Sequence, residues 1–231
     1  MTLITDIINN TNISKPTSIT NHKEVEAVIK NSGAGVDHIF PTATYYNPII
    51  DNHQEVQNEL KSVIDGIDFK YRDGWGETHL LSDTDFQGDA IEKYNLRLLR
   101  QEIHNNLCKY CKTEGLVYNK HYFINSSWFS AFKKGNYAHV HNHGLSDVSG
   151  VYYYKTTGSD GDFFLCSPNP YSKDRLAIEP VEGKLLMFPG WLEHGVMTNT
   201  TDNLRISFSF NIFFDKRLIG NGNPVVFTNA K

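Results

Sequence analysis

Four histidines carry the chemistry that this sequence offers most plainly. His139-Val140-His141-Asn142-His143 sets three imidazoles at strict i, i+2, i+4 spacing, and His194 follows in a second β-like stretch. Alternate side chains of a strand share a face, so an extended backbone would turn all three imidazoles the same way. Neutral imidazole is the commonest protein ligand for a borderline transition metal. Two or three on one strand, facing another on a neighbouring strand, are a donor set for a metal ion. A solvent-exposed polar face is the plainer reading of a lone His-x-His pair, and the residues around this one weigh against it. His38, His53, His79, His104 and His121 show no mutual metal spacing and read as surface or core-satisfied histidines.

The elements that must position these residues follow from pattern. From Leu116 onward short β-rich runs recur: Tyr118–Trp128, Tyr137–His143, Val148–Lys155, Asp162–Cys166, Leu185–Phe188, Gly195–Met197 and Leu204–Phe214. Clusters of Gly, Pro, Asn and Asp separate them, a pattern that predicts a sandwich or closed barrel. Two helices come first. Asp51 is placed to cap one whose Val56, Leu60, Val63 and Ile64 keep helical spacing and which Gly66 ends. A longer helix is expected from about Asp89 to Lys112, with Ile91, Tyr94, Leu98, Ile103 and Leu107 as its stripe. Both are expected to pack on the outside of one sheet. Ile39–Tyr46 is β-like, and residues 66–88 read as loop around Trp75. Residues 1–35 read as a peripheral leader with one short helix around 23–30. Residues 36–231 read as one domain, its helical part about 50–112 and its β core about 116–214.

Bulk properties narrow the partners. At 39% hydrophobic and 13% aromatic residues, the 231-residue chain can bury a real core. The net charge of −4 comes without a basic stripe, so nucleic acid is not an expected partner. No apolar run is long enough to span a membrane, and the N-terminus lacks the pattern of a secretory signal. Three cysteines, an odd count without a signal, point to a reducing, cytoplasmic setting. Cys108 and Cys111 match C-x-x-C, but they lie late in a helical pattern with no second pair, so packing is the expected role.

Two family resemblances meet on the histidines. Gly135, His141, His143 and Asp147, followed by Gly183, Pro189 and His194, resemble the two motifs of cupins. The same histidines, with Arg205 eleven residues past His194 in Arg205-Ile206-Ser207, resemble the 2-oxoglutarate and Fe(II)-dependent oxygenases. Ile39-Phe40-Pro41-Thr42, Ser127-Trp128, Ser149-Gly150-Val151-Tyr152-Tyr153, Phe188-Pro189, Trp191-Leu192 and Phe210-Asn211 extend that second resemblance to roughly residues 38–214. It is similar to an uncharacterised oxygenase family of bacteria and their viruses.

The resemblance implies a mainly β fold with N-terminal helices, a double-stranded β-helix (jelly roll) with those helices outside one sheet. It implies Fe(II) and 2-oxoglutarate, and a hydroxylase that couples decarboxylation to succinate with oxidation of a C–H bond. His141, His143 and His194 take the place of the metal ligands, and Arg205 that of the residue pairing with the far carboxylate. Rigid bidentate donors suit that second role. Ser207, Tyr152, Tyr154 and Asn125 are the candidate helpers. His143 departs from the family pattern, which carries Asp or Glu there, so Asp147 is the alternative ligand. His139 is expected just outside the ligand set, and Trp128, Tyr137 and Trp191 at the pocket mouth. The substrate, a small molecule or peptide, is not named by any of this. Two other readings stay open: a cupin-type three-His metalloenzyme without 2-oxoglutarate, and a non-catalytic metal- or ligand-binding jelly roll.

Overall fold

The computed structural model describes residues 42–72, 76–82, 88–113 and 122–214. In chain order these give β1 (Tyr45–Asn47), α1 (His53–Ile64), β2 (Lys70–Arg72), β3 (Gly76–Leu81), α2 (Ala90–Lys93), α3 (Arg97–Thr113) and β4 (Tyr122–Phe132). There follow β5 (Ala138–His141), β6 (Val148–Lys155), β7 (Phe163–Cys166), β8 (Arg175–Ile178), β9 (Leu185–Pro189), β10 (His194–Val196) and β11 (Arg205–Phe214). The expected leader at 1–35 and Trp75 lie outside the described residues.

Seven strands form one sheet in the order β1-β9-β6-β11-β4-β3-β2, and four form a second in the order β5-β10-β7-β8. All pairings within both are antiparallel. Non-consecutive neighbours such as β4, β11 and β6 mean that the chain crosses between sheets, as a jelly roll requires. The fold is the double-stranded β-helix, mainly β with helices against one sheet.

Strand alternation divides the large sheet into two faces. Ile206, Phe208, Phe210 and Ile212 of β11 join Phe129, Tyr152 and Met187 in an outer core with the helix residues Val56, Leu60, Leu99, Ile103 and Leu107. Phe132, Val151, Tyr153 and Phe188 turn the other way and meet Ala138, Phe163, Leu165 and Val196 of the small sheet. The site lies in that inner layer.

The helices differ from expectation at their ends. The residue capping α1 is Asn52, not Asp51, and its amide reaches Glu102 instead of the helix. Asp51 pairs with Lys109 across to α3. The long helix expected from Asp89 is split at Asn95, whose φ of 54° is one that asparagine tolerates. Asp89 caps the first piece by accepting from the Ile91 and Glu92 amides. The second piece has no acidic residue in its first turn. Glu59 of α1 supplies one, accepting from the Leu98 and Leu99 amides at 2.9 Å each. Within the stretches read as loop, 66–88 holds β2 and β3, and β8 is a further unexpected strand. β2 and β8 are short, largely exposed edge strands, so no apolar alternation marks them.

Candidate metal centre

β10 lies between β5 and β7, with His194 opposite His141 on one side and Leu165 on the other. Register with β5 shifts between His194 and Val196: His194 faces His141, while Val196 faces Ala138. Two residues, His139 and Val140, therefore span the distance that Gly195 spans alone. This bulge turns Ala138 and His141 inward together and leaves His139 outside. The uniform i, i+2, i+4 face expected of the three histidines is broken at that step. His139 is exposed, and its contribution is its carbonyl, bonded to His141 Nδ1 at 2.7 Å.

His143 lies just past the end of β5, and its amide donates to the Gly190 carbonyl at 2.8 Å. That contact needs glycine: a Cβ on Gly190 would stand 2.2 Å from the Ser146 carbonyl oxygen. One nitrogen from each of His141, His143 and His194 lies within 4.8 Å of the others. Their ring centroids are 4.4 to 5.2 Å apart. Nδ1 of His194 meets the Leu192 carbonyl at 2.8 Å, as Nδ1 of His141 meets that of His139. Donation to a carbonyl fixes the tautomer, leaving Nε2 as the lone-pair nitrogen in both rings. Burial pushes the His143 imidazole down to about 3 and also depresses His141 and His194. At neutral pH all three are uncharged donors, the form that binds a metal. The set suits a first-row transition ion with positions left open.

Asp147, the alternative ligand, is placed otherwise. Its Oδ2 accepts from the Phe214 amide at 2.9 Å, tying the end of β11, and it is not in the histidine group. Among the described residues no carboxylate joins the three nitrogens.

The cavity below the histidines is lined by both sheets. β11 contributes Arg205, Ser207 and Ser209, β4 contributes Trp128, Ser130 and Phe132, and β3 contributes His79 and Leu81. Arg205 is 1% exposed. Its Nη1 donates to the Gly161 carbonyl at 2.5 Å, while its Nε is buried without a partner among the described residues. Gly161 has φ of +98°, and a Cβ there would stand 2.4 Å from the Met197 carbonyl oxygen, so the turn that offers this acceptor requires glycine. Among the described residues no carboxylate pairs with Arg205.

Three of the expected helpers do not reach this cavity. Ser207 pairs with Tyr153 across β11 and β6, and Phe208 with Tyr152. Directly opposed residues share a face, so Tyr153 turns inward and Tyr152 outward. Tyr152 Oη lies 3.3 Å from His53 Nδ1 and accepts from Gln57 Nε2 at 3.4 Å. Tyr154 falls at a register shift, since Ile206 pairs with Lys155 and Ser207 with Tyr153, and it packs against the outer core. Asn125 falls at a second shift, between the partners of Asn211 and Ile212, and is exposed. Tyr153 is the residue missed. Its hydroxyl is fully buried with no partner among the described residues, and its ring lies beside Arg205.

His79 was also missed. It is 5% exposed, lines the cavity, and stacks on Phe132 with centroids 4.8 Å apart and planes 1° from parallel. Burial, with His141 nearby, pushes it down to about 4. The one signal for it was the alternation of His79 with Leu81, too short to read inside a stretch taken as loop. Of the expected mouth residues, Trp128 lines the cavity with its ring 5.7 Å from His143. Trp191 is half-exposed, and Tyr137 lies edge-on to His139.

Residues 126–211, which hold all three histidines and Arg205, match the model of a family described as "Putative 2OG-Fe(II) oxygenase". No curated protein matches the chain. Solved structures similar to it include an oxidoreductase of the 2OG-Fe(II) oxygenase family from Burkholderia pseudomallei. That one is 14% identical over 73% of this chain and 83% of its own, with a TM-score of 0.57. HygX from Streptomyces hygroscopicus, with nickel, 2-oxoglutarate and hygromycin B bound, is 13% identical over 75% and 84%, with a TM-score of 0.56. The non-heme alpha-ketoglutarate-dependent epimerase SnoN from nogalamycin biosynthesis is 11% identical over 75% and 79%, with a TM-score of 0.58. At such identities the structures speak for the fold, and the sequence match is a likeness over residues 126–211. The chain has the double-stranded β-helix fold, and its residues 126–211 are similar to a family of 2-oxoglutarate and Fe(II)-dependent oxygenases. The resemblance read from its motifs stands on that match.

Proposed function

We propose that His141, His143 and His194 hold Fe(II), that Arg205 anchors 2-oxoglutarate, and that the protein oxidises a C–H bond of a small-molecule substrate. The observation that carries this reading is Arg205, a buried cation opening on the same cavity as three neutral, converging imidazoles. A cupin-type metal enzyme has no use for that cation. An oxygenase needs it for the far carboxylate of its cosubstrate, where charge-assisted bonds in a dry site are strong.

When bound, the iron and 2-oxoglutarate supply the oxidising power, with oxygen reduced as the keto acid is decarboxylated to succinate. The chain's own residues do the rest. The Leu192 and His139 carbonyls orient two imidazoles. Arg205, with Ser207 and the buried Tyr153 hydroxyl close by, binds the carboxylate and fixes the cosubstrate's direction. Phe163, Phe188 and Val196 keep water from the histidines, and Phe188 packs 4.6 Å from the His194 ring. HygX, crystallised with hygromycin B, motivates a small molecule as substrate over a peptide.

Anaerobic titration of the protein with Fe(II) and then 2-oxoglutarate tests this reading. We expect a weak visible charge-transfer band in the wild type that is lost in Arg205→Ala and in His194→Ala. Iron bound through the histidines with no band on adding the keto acid would overturn it.

A further inference from the structure

Arg205 poses a problem that the proposed function leaves unanswered. A buried guanidinium is ordinarily held by a carboxylate, and burial disfavours its charge. Among the described residues only the Gly161 carbonyl bonds to it, through one nitrogen, while Asp160 and Asp162 favour its charge without pairing with it. A protein carboxylate in that place would hold the group still, but it would also occupy the N–H donors that an incoming anion needs.

The structure answers with rings. The Arg205 Cζ lies 5.0 Å from the centroid of Phe132 and 5.0 Å from that of Tyr153. Both are within the range of cation–π attraction, in which the cation sits over the face of the ring; a guanidinium can take such a contact by stacking its flat face on the ring. The N–H donors of the same group point outward in its plane. A ring stacked on the face does not compete with an anion bound in the plane. Phe132 is in turn fixed by His79, which stacks on it in parallel. Phe132 is opposite Arg205 on the paired strands β4 and β11, and Tyr153 is opposite Ser207 on β6. The rings thus come from the two strands that flank β11.

We propose that Phe132 and Tyr153 are positioning residues: their rings clamp the Arg205 guanidinium by its faces, with His79 bracing Phe132, and leave its in-plane donors open for a carboxylate. The inference rests on the reading of Arg205 as the cosubstrate anchor and explains how an unpaired cation is kept ready.

The test replaces Phe132 by Leu and by Tyr in the full chain and uses two measurements. The first is the affinity of the Fe(II)-loaded protein for 2-oxoglutarate, by anaerobic calorimetry, beside its affinity for Fe(II). Loss of one cation–π contact should weaken 2-oxoglutarate binding roughly 2- to 30-fold in Phe132→Leu. Iron affinity should stay unchanged, and Phe132→Tyr should restore cosubstrate binding. The second is the rotation of the Arg205 guanidinium about its Nε–Cζ bond, by nitrogen-15 NMR. We expect hindered rotation in the wild type and in Phe132→Tyr, and faster rotation in Phe132→Leu. Should Phe132→Leu not fold, Phe132→Met fills the same space without a ring and should behave likewise. Unchanged 2-oxoglutarate affinity and unchanged rotation in the ring-less variant would overturn the clamp. A wild type that binds no 2-oxoglutarate would instead overturn the proposed function, and the rotation measurement would still decide the clamp.

Discussion

Along β11 successive side chains enter two environments that share nothing but a backbone. Ile206, Phe208, Phe210 and Ile212 pack against the helices in the outer core. Arg205, Ser207 and Ser209 line the cavity on the inner face. The neighbouring strands repeat the division, Phe129 and Ala131 outward against Trp128, Ser130 and Phe132 inward on β4. The outer face is closed by apolar burial. The inner face tolerates an unpaired arginine and a row of hydroxyls in space where leucine and valine would be more stable. The contrast teaches that one face is built for packing and the other around a polar-lined cavity. Substitutions on the two faces should therefore fail in different ways.

The largest effect on stability belongs to the outer face. Phe208 is fully buried, with its ring 4.9 Å from that of Phe129 at a steep angle. Phe208→Ala should lower unfolding free energy by about 3–5 kcal/mol, the usual range for an aromatic truncated in a core. Denaturant unfolding would measure this. The part of the variant that stays folded should bind iron as the wild type does, because Phe208 has no contact with the cavity. A loss of iron affinity in folded Phe208→Ala would show that the two faces are coupled after all.

The inner face should show the opposite sign. Arg205→Met removes a buried charge and keeps a flexible apolar side chain between two rings. Replacing buried charge by apolar volume is often neutral or stabilising. We expect the melting temperature of the cosubstrate-free protein to hold or rise. We also expect the stabilisation that 2-oxoglutarate gives the wild type by mass action to disappear. A large drop in melting temperature without cosubstrate would mean that Arg205 is structural, and the division between the faces would lose its sharpest case.

How far this division was legible in the sequence differs between strands. The spacing in β11 separates Arg205 and Ser207 from Ile206, Phe208 and Phe210, but does not say which face carries the helices. The hydrophobic runs of β4, β6, β9 and β11 were visible because their strands are long or doubly buried. β2 and β8 were not, being short edge strands where pairing, not composition, makes a strand, and the interior β3 was hidden in a glycine-rich stretch. Within the site, the errors trace to register. Tyr154 and Asn125 sit at shifts that no local pattern reveals, and Tyr152 and Tyr153 are equivalent until their partners on β11 are known. The bulge at His139 and Val140 likewise breaks a periodicity that looked perfect. His141, His143, His194 and Arg205 were legible because their types are scarce and their chemistry specific. Tyr153, beside Arg205, and His79, on the cavity wall, needed the sheet to be seen.

The smallest predicted effect separates an acid that caps from an acid that binds metal. Asp147 stands four residues past His143, close enough in sequence to be a ligand, yet its Oδ2 receives the Phe214 amide at the far end of β11. Its own amide donates to the Ile212 carbonyl at 3.0 Å, so the residue is bonded to that strand twice. Asp147→Ala should lower stability by about 0.5–1.5 kcal/mol, the net worth of such a bond. Iron affinity should be unchanged, since the three imidazoles are held by the Leu192 and His139 carbonyls and by the Gly190 turn. A variant that lost iron while keeping its melting temperature would make Asp147 a fourth contributor to the metal. It would give the proposed centre a carboxylate beside its imidazoles. With iron retained and a modest drop in melting temperature, the acid belongs to the scaffold and the centre works with three neutral donors.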